Sequence, residues 1–129
     1  MDCIKLLLVD DEEGYVSVLS KRLLKRNIDV TATLSALDAI KIMRKKDFDV
    51  AVLDLKMGDM DGIEALKIFK KLYPPMEVIM LTGHGSQKAA REGLALGAFD
   101  YLTKPCDLEE LLAKIKYAYL KKYSLNPKY

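Results

Sequence analysis

IKLLLVDDEEGYVSVLSKRLLKRNIDVTAT, residues 4–33, holds two short apolar runs with an amphipathic stretch between them. The runs Ile4–Val9 and Ile28–Thr33 are of strand length and suit strands buried on both faces. Tyr15, Val18, Leu19 and Leu23 form a loose helical stripe across the gap. A strand, a helix and a strand in that order form a crossover unit, which is what two parallel neighbours need.

The alternation continues along the chain. Apolar runs recur at Val50–Leu53, Val78–Leu81 and Phe99–Leu102. Between them the spacing i, i+3, i+4, i+7 appears at Ala36, Ala39, Ile40 and Met43, at Ala65, Ile68, Phe69 and Leu72, and at Leu108, Leu111, Leu112 and Ile115. Residues 86–96 form a weaker, alanine-rich fourth helix. Capping residues stand at these boundaries: Ser35 before the second helix, Asp107 with Glu110 before the last, and Asp61-Gly62 at the turn into the third. Pro74-Pro75 stops the third helix and Gly97 the fourth. Five strands alternating with five helices predict an α/β fold, a parallel sheet with helices on both faces.

A chain of 129 residues fits one domain with a single sizeable core. The net charge of +2 gives no basis for direct nucleic acid binding or a membrane surface. Cys3 and Cys106 lie far apart without CxxC spacing, and the first residues lead straight into a short apolar run. The expectation is a cytoplasmic protein with two reduced thiols. The domain is expected over residues 1–122, with 123–129 as a short C-terminal tail and no output domain; a piece of a longer regulator would read the same way.

In such a sheet, ligand chemistry gathers at the carboxyl ends of the strands. Strand one ends in Asp10-Asp11, strand three in Asp54 and strand four in Thr82-Gly83, and strand five leads into Lys104-Pro105. One edge therefore collects three carboxylates, a hydroxyl and an ammonium. The carboxylates repel one another unless a cation neutralises them, and oxygen donors suit a hard ion such as Mg²⁺. A lysine and a hydroxyl opposite can hold phosphoryl oxygens, and an aspartate can act as a phosphoryl acceptor. The set suffices for metal-assisted phosphorylation of an aspartate.

The segments LLLVDDEE (6–13), VLDLKMGDMDG (52–62), MLTGHGS (80–86) and FDYLTKP (99–105) together resemble the response regulator receiver family of two-component signalling. Each fragment alone is weak, whereas the four in this order, at strand ends, are specific; the resemblance covers about residues 4–120. It implies a three-layer, flavodoxin-like (βα)5 doubly wound sheet with strand order 2-1-3-4-5. It implies Asp54 as phosphoacceptor, Asp11 as a direct Mg²⁺ ligand, Asp10 acting mainly through a metal-bound water, and Lys56 offering its backbone carbonyl. Thr82 would hydrogen-bond the phosphoryl group and Lys104 pair with its charge, with a cis Lys104-Pro105 peptide beside it. Thr82 and Tyr101 would form the switch, and the face of the fourth helix, fifth strand and fifth helix the output surface. The implied partners are a histidine kinase or phosphotransfer protein, a downstream protein on that face, and a second copy on the same face. The protein would modify itself and would not be a conventional turnover enzyme. Gly58 departs from the family, which commonly carries proline there, and predicts a more flexible loop.

Taken singly, these groups have plainer readings. Asp10 and Asp11 suit a helix N-terminus, Thr82 a turn, Lys104 a surface, and Tyr101 a half-buried edge strand. His84, the only histidine, reads as an exposed loop residue. Its place two residues after Thr82 also puts it at the mouth of the site, where with the Lys56 side chain it would control water access and phosphoryl lifetime. Lys116, Lys121 and Lys122 suit a solvated helix end. Other classes fit less well. An Asp-nucleophile phosphohydrolase would carry a DxD motif, which VDDEE does not match; a flavodoxin-like cofactor binder would need a Ser/Thr-rich phosphate loop. A degenerate receiver acting as a phosphorylation-independent scaffold is the remaining alternative.

Overall fold

A computed structural model describes residues 3–83 and 87–124 of the chain. Its elements run β1 Ile4–Val9, α1 Glu13–Leu24, β2 Ile28–Thr33, α2 Ala36–Met43, β3 Val50–Asp54, α3 Gly62–Leu72, β4 Glu77–Thr82, α4 Gln87–Ala95, β5 Asp100–Thr103 and α5 Leu108–Ser124. The strands form one parallel sheet in the order β2-β1-β3-β4-β5, the expected doubly wound architecture. Among the described residues no helix is long and apolar enough to cross a membrane.

Successive side chains of a strand point to opposite faces, so the sheet divides the core in two. Leu6 and Leu8, Val50 and Val52, and Ile79 and Leu81 pack with Val16, Leu19 and Leu23 of α1 and with Leu111, Leu112 and Ile115 of α5. Leu7 and Val9, Ala51 and Leu53, and Val78 and Met80 pack with Ala36, Ala39 and Ile40 of α2 and with Ala65, Leu66 and Phe69 of α3. Burial on both faces holds for β3 and β4 throughout and for most of β1. It does not hold for β2 and β5, which have a neighbour on one side only and expose part of their length. On α1 the buried stripe uses Val16, while Val18 is exposed.

The helix boundaries have local causes. Ser35 caps α2 by accepting the Asp38 N–H at 3.1 Å. Gly97 takes φ +106°, the left-handed turn that ends α4 without a Cβ clash. Gly93 lets α4 lie directly on the Met80 thioether, where any Cβ would collide. The last helix runs to Ser124, two residues past the expected domain end at 122. Its final turn is held because Lys122 and Tyr123 both bind Asp49, at the start of β3.

Candidate functional site

Parallel strands finish on one edge, and the register places Asp54 beside Leu81 and Thr82 beside Thr103. Asp10 follows β1 directly; its N–H donates to Thr33 O at 3.2 Å, which extends the β1–β2 ladder and leaves the side chain fully buried. Asp54 is the last residue of β3 and is also buried. The Lys104 backbone N–H donates to Thr82 O at 2.7 Å, and the following Lys104-Pro105 peptide is cis. That anchor sends the Lys104 side chain back over the edge.

There its Nζ donates to Asp10 Oδ2 at 2.8 Å, to Glu12 Oε1 at 2.8 Å and to Asp54 Oδ2 at 3.4 Å. The Tyr15 ring lies under the same ammonium, 4.6 Å from its centroid, and the Tyr15 hydroxyl contacts Cys106 Sγ at 3.7 Å. Backbone amides satisfy the other oxygens: Glu12 N–H donates to Asp10 Oδ1 at 3.0 Å and Lys56 N–H to Asp54 Oδ1 at 3.0 Å. Burial lifts Asp54 above the ordinary carboxylate range, helped by the Asp10 charge and opposed by the Lys56 amide and by Lys104. Burial pulls the Lys104 ammonium down, but its bonds to Asp10 and Glu12 and the surrounding charge outweigh that and leave it above its usual value. The Lys104 hydrogen bond in turn lowers exposed Glu12.

One carboxylate oxygen each from Asp10, Glu12 and Asp54 lies within 4.8 Å of the others, so three carboxylates face one ammonium. All-oxygen donors with a surplus of negative charge fit a hard divalent cation such as Mg²⁺. Glu12 was not singled out by sequence reasoning; the acidic run after β1 is its only signal, and its direction depends on how α1 begins. Asp11 is not in this cluster. It is exposed, and its Oδ2 accepts the Gly58 N–H at 3.2 Å.

The other expected residues gather nearby. The Thr82 hydroxyl is buried and donates to Leu102 O at 3.4 Å. Tyr101 is half-buried and packs on the core layer shared with α2 and α3. The Lys56 backbone pairs with that of Asp61 in a single antiparallel bridge, and the Lys56 Nζ lies beside Gly83. His84 lies outside the described residues. The loop after Asp54, expected to be loose at Gly58, is tied at two points. Gly58 holds Asp11, and Asp59 accepts the Ala36 and Leu37 N–H groups at 3.3 and 3.1 Å, at the start of α2.

A family model, the response regulator receiver domain, matches residues 6–116. The DNA-binding transcriptional regulator NtrC of Proteus hauseri is 39% identical over 110 residues, covering 85% of this chain and 23% of its own. The transcriptional regulatory protein ZraR of Escherichia coli (strain K12) is 34% identical over 125 residues, covering 97% of this chain and 28% of its own. The chain thus spans about a quarter of the length of these relatives. Among solved structures, a response regulator receiver domain protein from Clostridium thermocellum superposes with TM-score 0.90 at 32% identity, over 95% of this chain and 98% of its own. A CheY-like receiver domain protein from Methanospirillum hungatei JF-1 superposes with TM-score 0.90 at 29% identity, over the same shares.

Proposed function

The chain belongs to the response regulator receiver domain family, and on that premise we propose that it accepts a phosphoryl group on Asp54 and switches its surface in response. The observation that carries this is the buried Asp54 carboxylate at the end of β3, within reach of Lys104 and inside a three-carboxylate cluster. An Asp54 oxygen forms the new bond to phosphorus while the bond to the donor, a phosphohistidine or an acyl phosphate, breaks and its electrons leave with the donor. Asp10, Asp11, Asp54 and the Lys56 carbonyl, with Glu12 beside them, are the groups that would hold Mg²⁺, which when bound neutralises charge on the phosphoryl oxygens.

Lys104 moves from its carboxylates onto the new phosphoryl group, whose added negative charge competes for the ammonium. Thr82 exchanges its Leu102 acceptor for a phosphoryl oxygen, and the Tyr101 ring turns into the space released. This is a population shift, driven by the better fit of the phosphoryl group to one of two packings. The readout surface is the α4-β5-α5 face, open to a downstream protein or a second copy, and the donor is a histidine kinase or phosphotransfer protein. The change is made on the protein itself and is not a turnover reaction.

Intact-protein mass after incubation with acetyl phosphate and Mg²⁺, beside Asp54→Asn, tests this. One phosphate adduct that needs Mg²⁺ and disappears in Asp54→Asn is expected. No adduct, with beryllofluoride also failing to bind, would make the chain a phosphorylation-independent scaffold. An adduct that persists in the variant would move the acceptor elsewhere.

A further inference from the structure

We propose that the Gly58 amide restrains Asp11 and thereby weakens the affinity of the site for Mg²⁺, a step that rests on Asp11 serving as a cation ligand as put forward above. Asp11 brings a single carboxylate, whose Oδ2 accepts the Gly58 N–H at 3.2 Å. It stands outside the group formed by Asp10, Glu12 and Asp54. On this reading, turning the carboxylate toward their oxygens draws Oδ2 away from the loop and stretches that bond. Proline, the residue the family resemblance leads one to expect here, has no N–H to donate. Glycine at 58 therefore keeps an N–H that competes for one of the ligands.

Position 58 also permits a clean control. Its φ lies outside the left-handed region, and a Cβ added there meets nothing nearer than Asp11 Oδ2, at 3.9 Å. Alanine therefore fits and keeps the N–H. A solvent-exposed hydrogen bond to a carboxylate has a modest net value, so its removal should tighten Mg²⁺ binding by about two- to tenfold.

The test is a Mg²⁺ titration of the wild type, Gly58→Ala, Gly58→Pro and Asp11→Asn, by calorimetry and by ¹H–¹⁵N spectra. Gly58→Ala is expected to keep the wild-type Kd and Gly58→Pro to bind tighter by that factor. In the wild type the Gly58 amide proton should shift upfield as Mg²⁺ saturates, because its acceptor is drawn away. Unchanged or weaker binding in Gly58→Pro overturns the proposal; should that variant not fold, the wild-type Gly58 shift decides alone, and its absence overturns it. Proline also stiffens the loop, so its gain must vanish when combined with Asp11→Asn; a gain that survives there belongs to stiffness and overturns the restraint. The ligand assignment fails differently: wild type and Asp11→Asn would then bind Mg²⁺ equally, or neither would bind it.

Discussion

At the N-terminal edge of the sheet Asp49 accepts three donors: the Lys5 N–H at 2.9 Å, Lys122 Nζ at 2.8 Å and the Tyr123 hydroxyl at 3.2 Å. At the C-terminal edge the ratio reverses, and Asp10, Glu12 and Asp54 share the one ammonium of Lys104. Both edges bury an aspartate against a lysine, and a cavity of about 530 Å³ opens at the first, beside Lys5, Asp29, Tyr73 and Lys122. The balance of donors and acceptors, more than burial or cavity size, separates a structural clamp from a site. The clamp is complete as folded. The site keeps negative charge in excess, a donor set that fits a hard divalent cation.

The comparison is most exposed to failure at Asp49. Asp49→Ala removes one partner of a largely buried ion pair and should lower stability by about 3 kcal/mol in urea unfolding; a loss below about 1 kcal/mol would mean that the clamp holds nothing. Mg²⁺ at ten times its Kd should add about 1.4 kcal/mol to the wild type by mass action, and far less to Asp54→Asn, read by thermal unfolding with and without the ion. Without Mg²⁺, Asp54→Asn should itself bring a smaller gain, opposite in sign to the Asp49 change. Burial raises Asp54 above its ordinary value of 3.8, so its ionised form disfavours folding. That penalty is absent below the ordinary value, grows as pH rises above it and is complete once the pH passes the folded pKa. The gain should therefore be present at neutral pH and absent at about pH 3.5. The smallest effect belongs to Tyr123→Phe, which takes one exposed donor from Asp49 and should cost at most about 1 kcal/mol. Burial and the Asp49 charge push the Tyr123 phenol up to about 12, so it remains a donor at neutral pH.

The gathering of Asp10, Asp54, Thr82 and Lys104 at one edge was legible because parallel strands bring their carboxyl ends together. The strand order 2-1-3-4-5 does not follow from chain order and was implied only by the family resemblance. What stayed hidden depends on side-chain direction. Glu12 turns to Lys104 and Asp11 to Gly58, although both belong to one acidic run. The Asp49 clamp joins residues more than 70 positions apart, which no local pattern reveals. Val18 failed as a core residue because a loose stripe leaves the phase of the helix undetermined.

Asp59 gives the loop after Asp54 a second identity, as the lid on the first amides of α2. Any opening of that loop would take the acceptor from the Ala36 and Leu37 N–H groups and leave them to water. Their hydrogen exchange therefore reports on the loop that follows β3, and a slowing of those two amides on phosphorylation would register a tighter loop.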